Sequence, residues 1–466
     1  MGVPPSRRST VAATRQTATP GTAPGREPGS LTGRSTYDVP FRPEQWTDRS
    51  PQSTGGTGEA LVGWAAVTSS LSPAVRRLIA ATLVNTLGNG VYAAVGALYL
   101  TRAVGLSVGH VGVGLTIAAL VGLVASTPLG VVADRLGPNR AYVGFLLLQA
   151  VTMTALTQVR SFGWYVAVAA VTAIADSGQR GAKGALIAGV AAADQRVRTR
   201  AILRVVTNIG MAVGMAAAGV VLAVDRREVY VVALLANAAT YVVTAGLVRF
   251  GMPAVARVPA AAGPSGLTAV RDRRFLVFVG LDGVLSMHGA LAQIGIPLWV
   301  ATATDAPRWM ISVLLVLNSA AVILLQVRIS RGTERLTGAA RAGRRAGVLL
   351  AITCLVLALS DATSGAVTIG LLIAAALAHV LGEMLQSAGG WGISFELAPP
   401  GAQGQYQGAY AMGHQIGDLV APLLITTVAV SWGWPGWLLT AGVFLVAGMF
   451  VPVVVREPEP VMQPAV

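Results

Sequence analysis

Gly130-Val131-Val132-Ala133-Asp134-Arg135-Leu136-Gly137-Pro138-Asn139-Arg140 is a short charged turn pinned between two long apolar stretches. Gly130 lets the end of the incoming helix approach a neighbour closely. Asp134 and Arg135 put opposite charges at the boundary, and Gly137-Pro138 turns the chain and starts the next helix. Such a turn only makes sense between segments that lie in lipid.

The composition agrees. Of 466 residues, 54% are hydrophobic and 12% charged, with a mean hydropathy of +0.64, where an ordinary globular chain carries roughly a quarter charged residues. The net charge of +14 would suggest nucleic acid in a soluble protein, but that inference needs a basic patch. Residues 1–70 are a separate block rich in Pro, Gly, Ser and Thr, expected to be disordered. Having no apolar stretch long enough for a signal peptide, this tail is expected to be dispensable, as an upstream extension from a misassigned start at Met1 would be, the alternative being that it binds a partner. Cys354 is the only cysteine, so no internal disulfide and no cysteine metal cluster can form.

Beyond residue 78 the chain reads as twelve apolar stretches of the length that crosses about 30 Å of hydrocarbon, with short polar connections. They run over 78–100, 111–133, 141–159, 163–189, 201–224, 229–248, 275–300, 309–327, 346–360, 364–388, 407–430 and 434–455. With no water to satisfy backbone groups, helices are the expected form. Assigning the even connections and both termini to one side gives that side twenty arginines near span ends, including Arg196, Arg200 and Arg204, against five opposite. Positive charge is retained inside, so both termini are expected in the cytoplasm of a multi-pass cell-membrane protein. The basic total is then a matter of topology, with membrane lipids as neighbours and no nucleic acid. Residues 249–274, with Pro253, Pro259, Gly263 and Pro264, divide the spans six and six and read as a cytoplasmic linker. The expected units are therefore a tail (1–70), a first helical bundle (71–248), the linker, a second bundle (275–455) and a short cytoplasmic tail (456–466).

The turn at 130–140 resembles motif A of the major facilitator superfamily, the loop between its second and third spans. Its distal basic residue is displaced to Arg140 by Pro138 and Asn139. The resemblance implies an all-α membrane fold of twelve helices in two pseudo-symmetric six-helix bundles, with a site near the midplane between them. The basic loop Arg328 to Arg345 carries no copy of the turn. The resemblance also implies an inner-face latch of Gly130, Asp134, Arg135, Gly137 and Arg140. In it Asp134 is placed at the amino end of span eleven, near Gln405 to Gly408, and Arg135 and Arg140 pair with Asp194.

Ionisable groups inside spans are costly unless paired or hydrated, which makes each a functional candidate. In span four Asp176 and Arg180 share a helical face, with Lys183 a turn beyond. Arg180-x-x-Lys183-Gly184 resembles part of the superfamily's motif B, whose arginine is associated with proton coupling; the other reading is helix bridging or snorkelling near the inner end. Asp282, Ser286, Gly289 and Gln293 form one stripe of span seven, while His288 points elsewhere. His379 with Glu383 and His414 with Asp418 sit at i,i+4, either as proton-exchanging pairs or as fixed hydrogen bonds. Because spans one, four, seven and ten line the cavity in the superfamily, Asp282 and Glu383 join Asp176 and Arg180 as proton-coupling candidates. Asn85, Asn89, Tyr92, Lys183, Ser286, Gln293 and His379 are the substrate-cavity candidates, although the span-one group is equally read as polar helix glue. Gly210, Gly214 and Gly219 of span five suit helix packing, and they resemble the antiporter motif C with Met215 in place of its proline. Trp391, Trp432, Trp434 and Trp437 read as interfacial anchors.

No nucleophile-base set, facing aspartate pair or metal-ligand cluster is found, so no enzyme, cofactor or metal is expected. The function expected is proton-coupled export of a small amphipathic or hydrophobic organic compound by a monomer. The alternatives are a proton-coupled importer of a sugar or small organic anion and, further off, a non-transporting membrane sensor.

Overall fold

The computed structural model describes residues 71–253, 255 and 267–455. The tail 1–70, residues 254 and 256–266 of the expected linker, and residues 456–466 lie outside the described residues.

Among the described residues the chain forms twelve long helices, α1 (Pro73–Ala103), α2 (Val108–Leu136), α3 (Pro138–Leu156), α4 (Phe162–Val190), α5 (Ala193–Val224), α6 (Arg227–Gly251), α7 (Arg273–Thr302), α8 (Trp309–Ile329), α9 (Leu336–Ser360), α10 (Gly365–Glu396), α11 (Gln403–Val430) and α12 (Trp434–Val455). Their starts are chemically marked. Ser72, Ser107 and Ser161 each accept a hydrogen bond from the backbone N–H three residues on, Asp272 does the same for Phe275, and Pro73 and Pro138 occupy first positions. Ten of the twelve are long and apolar enough to span a membrane on composition alone. The exceptions are α3 and α4, and the polar run Asp176 to Lys183 dilutes the latter.

Hydropathy fixes where lipid begins, not where the helix ends. Thus α9 starts ten residues before the apolar stretch, on a turn bearing Arg341, Arg344 and Arg345, and α10 continues eight residues beyond it through a wholly buried run, Ser387 to Phe395. Three segments are π-helical: Tyr99–Ala103 at the end of α1, Leu291–Gly295 within α7 and Ile425–Val430 at the end of α11.

Packing repeats with a shift of six helices. In the first bundle α1 packs on α5 and α6, α2 on α4, and α3 on α4 and α6. In the second α7 packs on α11 and α12, α8 on α10, and α9 on α10 and α12. Across the seam α2 meets α11 and, in the equivalent relation, α8 meets α5, with α4 also against α11 and α5 against α10. The duplication that the loop after α8 conceals is explicit in these pairings. Close approach depends on missing side chains: a Cβ on Gly214 would lie 3.0 Å from Gly90 Cα, so α5 rests on the backbone of α1.

Candidate functional site

The bundles are joined by hydrogen bonds at the end of the molecule that carries the α2–α3, α4–α5 and α10–α11 turns. Asp134, at the last turn of α2, accepts hydrogen bonds from the backbone N–H groups of Gly404 (2.6 Å) and Gln405 (3.0 Å). Those amides belong to the first turn of α11, where N–H groups lack helical partners and the dipole favours an anion. Gly130 makes this geometry possible, because a Cβ there would stand 2.7 Å from both the Cα of Gln405 and the carbonyl carbon of Gly404. One turn further in, Ser126 Oγ donates to the Gly408 carbonyl (2.8 Å). The start of α7 ties into the same turn of α11: Tyr406 donates to Asp272 (2.8 Å), and Gln405 Oε1 accepts from Ala269 N–H (3.2 Å). The expected pairing of Asp194 with Arg135 or Arg140 is not formed; all three side chains are exposed and no ion pair joins them among the described residues.

A second tie links α5 to α10. Arg204 forms an ion pair with Glu383 and donates to Ser387 Oγ, and its guanidinium lies 5.9 Å from the Trp391 ring centroid. One turn earlier Arg200 donates to Gln407 Oε1 (2.7 Å) and lies over Trp391 and Phe395. Arg200 and Arg204, expected only as charges near a span end, also have partners on the opposite bundle. They lie roughly two and three turns into α5 and face the opposite bundle. Trp391 is likewise buried in the seam, and Trp437 is fully buried against Trp299, so that of the four expected anchors Trp432 and Trp434 are the exposed ones.

Asp282 of α7 is buried and accepts from Gln386 (2.9 Å), while His414 Nε2 lies 2.9 Å from its other oxygen. His414 of α11 thus reaches across to α7 and not along its own helix to Asp418, which is exposed. His379 and Glu383 approach only to 3.9 Å. Nε2 of His379 lies 3.0 Å from the backbone oxygen of His288, whose ring packs edge-on to that of His379. His288, set aside by helical spacing within α7, is brought to α10 by the packing of the two helices.

Asp176 and Arg180 form their i,i+4 ion pair, half exposed, with Arg180 also donating to Ser177. They border a cavity of about 340 Å³ between α2, α4 and α11, together with Ala118, Leu123, Gln415, Asp418 and Leu419. Lys183 lies beyond it, and Gly184 beside it packs against Gln407. Asn89 accepts from Tyr241 of α6 (2.7 Å), holding helices together inside the first bundle, and Asn85 is buried there. Tyr92 lies over Gly96 of its own helix. Ser286 bonds to its own helix at Gly283 (2.7 Å). The stripe expected from Asp282 to Gln293 runs into the π turn Leu291–Gly295, which contains Gln293 and shifts it from the register of a regular α-helix. Gly210 and Gly214 abut α1, whereas Gly219 faces open space.

Outside the spans, Asp225 joins α5 to α6 in a left-handed conformation (φ 45°). Its carboxylate is held below the usual range by the hydrogen bond from Tyr230, and by the Arg102 guanidinium beside it, which together outweigh desolvation.

The sequence profile described as Major Facilitator Superfamily matches residues 78–417. No curated protein matches the chain. Among solved structures it is similar to the human organic anion transporter MFSD10 (TETRAN), at 16% identity over 81% of this chain and 99% of that one, with a TM-score of 0.61. It is also similar to a bacterial homologue of the iron transporter ferroportin in the outward-facing state, at 12% identity over 82% and 98% (TM-score 0.65). The E. coli fucose:proton symporter FucP is a third, at 12% identity over 82% and 98% (TM-score 0.65). At such identities the likeness concerns the fold.

Proposed function

Because this chain belongs to the Major Facilitator Superfamily, we infer that it carries a small organic solute across the membrane by alternating access, driven by protons taken up at buried carboxylates. The observation that carries this reading is the Arg204–Glu383 ion pair between the bundles, with His379 beside it. A proton on Glu383 removes the charge that holds Arg204, so protonation and separation of α5 from α10 favour each other. That differential interaction with two states is what coupling requires. Asp134 at the first turn of α11 acts as the second fastening of the same end. On the retention of positive charge inside, that end is cytoplasmic and the conformation described here is closed on that side.

Export of an amphipathic compound is the direction we favour, on the mixed walls of the α2–α4–α11 cavity, where Ala118, Ala119, Leu123, Ala173 and Leu419 alternate with the Asp176–Arg180 ion pair, Gln415 and Asp418. A specific observation favours a second reading, uptake of a small organic anion: neither Lys183 nor Arg200 has a carboxylate partner within 4.0 Å among the described residues. The test is flux of labelled lipophilic cations, organic anions and sugars in proteoliposomes with an imposed proton gradient. At least one class should move in a gradient-dependent way, and Glu383→Gln should abolish the dependence. Flux indifferent to the gradient in both proteins would defeat the coupling, and its direction decides between the two readings.

A further inference from the structure

His288 on α7 and His379 and Glu383 on α10 converge in the interior of the second bundle, where one ring nitrogen of each histidine and a carboxylate oxygen all lie within 4.8 Å of one another. All three residues are at least nine-tenths buried. A backbone carbonyl only accepts, so His379 Nε2, 3.0 Å from the His288 oxygen, carries that ring's proton. Its Nδ1 is then a lone pair 3.9 Å from Glu383 Oε2, so two acceptors face each other, with the Asn318 side chain also hydrogen-bonded to Glu383. His288 Nδ1, buried beside them, has no hydrogen-bond partner among the described residues. Two facing acceptors beside an unpartnered ring nitrogen in a low-dielectric interior are unfavourable unless a proton or a cation sits among them.

We propose that His288, His379 and Glu383 form a binding site for one divalent transition-metal ion, with Arg204 as the internal cation it competes against. Two imidazoles and one carboxylate are a borderline-soft donor set, suited to zinc, iron(II), cobalt(II) or manganese(II) and poor for calcium or magnesium, which need more oxygens. Donors on a tetrahedral ion stand about 3.4 Å apart at metal–ligand distances near 2.1 Å, so the 3.9 Å pair needs only small side-chain rotations. The bond from His379 Nε2 to the backbone is the outer support that metal-bound histidines use, fixing the tautomer and aiming Nδ1. A cavity of about 20 Å³ borders His379 and Asn318, room for about one water as fourth ligand. Asn318 Oδ1, buried without a partner, would accept a hydrogen bond from that water. Arg204 engages Glu383 through the other oxygen, Oε1, so the two cations occupy opposite sides of one carboxylate and repel. Metal binding therefore weakens the α5–α10 tie, and removal of the Arg204 charge strengthens metal binding.

The test uses untagged full-length protein in detergent, with cobalt(II) as the absorbing probe and zinc(II) as competitor. The chain has four histidines, and exposed His110, replaced by Gln, is the control. The wild type is expected to bind one cobalt with tetrahedral or five-coordinate absorption. His288→Gln and His379→Gln should each weaken binding at least tenfold, His110→Gln should leave it unchanged, and Arg204→Gln should tighten it about tenfold. The last variant keeps the test decisive if either histidine change impairs folding, since a structural defect would not improve affinity. Failure of the folded wild type to bind cobalt overturns the proposal, as does binding that is indifferent to His288→Gln, His379→Gln and Arg204→Gln. The inference does not depend on proton-linked transport, because metal bound in this way by a protein showing no gradient-driven flux would still establish the site.

Discussion

Replacing Gly130 with alanine should open the end of the molecule that Asp134 fastens. The added methyl would lie 2.7 Å from Gln405 Cα and from the Gly404 carbonyl carbon, against a carbon–carbon contact optimum of about 3.5–4.0 Å. Both obstacles are backbone, so no side chain can move aside and α2 must separate from α11 by about 1 Å. The Asp134 bonds, now 2.6 and 3.0 Å, would stretch to roughly 3.6 Å or more, beyond useful hydrogen bonding. Charge-assisted bonds contribute about 1.5–3 kcal/mol each, and with Asp134 only partly buried we take about 3 kcal/mol for the pair, roughly a hundredfold change in the balance of the two states. Spin labels at exposed Arg140 and Arg331, on opposite bundles at this end, report the change by electron–electron distance measurement in a Cys354→Ala background. The wild type should give a short distance and Gly130→Ala a mainly longer one. Asp134→Asn, which keeps the steric fit and loses the charge and one acceptor, should give an intermediate mixture. A Gly130→Ala distribution superimposable on the wild type would show that closure does not depend on this backbone contact.

Substitution by leucine should separate two glycines of one helix: Gly214→Leu collides with α1 and should abolish folded yield in size-exclusion chromatography, while Gly219→Leu should be neutral. Tyr241→Phe removes the bond to Asn89 and should lower thermal stability by about 0.6 kcal/mol, the average for interhelical bonds in membranes; an unchanged melting temperature would assign Asn89 another role. The Asp225 carboxylate is held below its unfolded pKa, so its stabilising contribution is complete above the ordinary aspartate range, near pH 3.9, and is lost as pH falls through the lower folded value. Asp225→Asn should therefore destabilise at neutral pH and flatten the acid limb of the melting-temperature profile, and an identical limb in both proteins would contradict this.

The twelve spans and the turn at 130–140 were legible because lipid imposes a length and because Gly, Asp and Pro at a helix boundary have few other uses. The pairings were harder to read. Spacing along one helix suggested His414 with Asp418, but a buried carboxylate on α7 is the stronger partner once the helices pack, and no one-dimensional rule contains that. The inward turn of Arg200 and Arg204 left a signal that went unused: with Asn208 they repeat every four residues, a polar row along α5 that a boundary cluster would not need. The Gln293 register failed because a π turn is a property of the hydrogen-bond ladder, invisible to a fixed 3.6-residue period.

Those π turns share a location. Tyr99–Ala103, Leu291–Gly295 and Ile425–Val430 all lie toward the end of the molecule remote from Asp134, and α1 and α7 are equivalent members of the two bundles. A wide turn holds a surplus residue whose hydrogen bond can be handed to a neighbour, letting the local bend migrate along the rod without a break in the ladder. The far thirds of α1, α7 and α11 are thus built to flex, while the fastened end is braced by backbone against backbone.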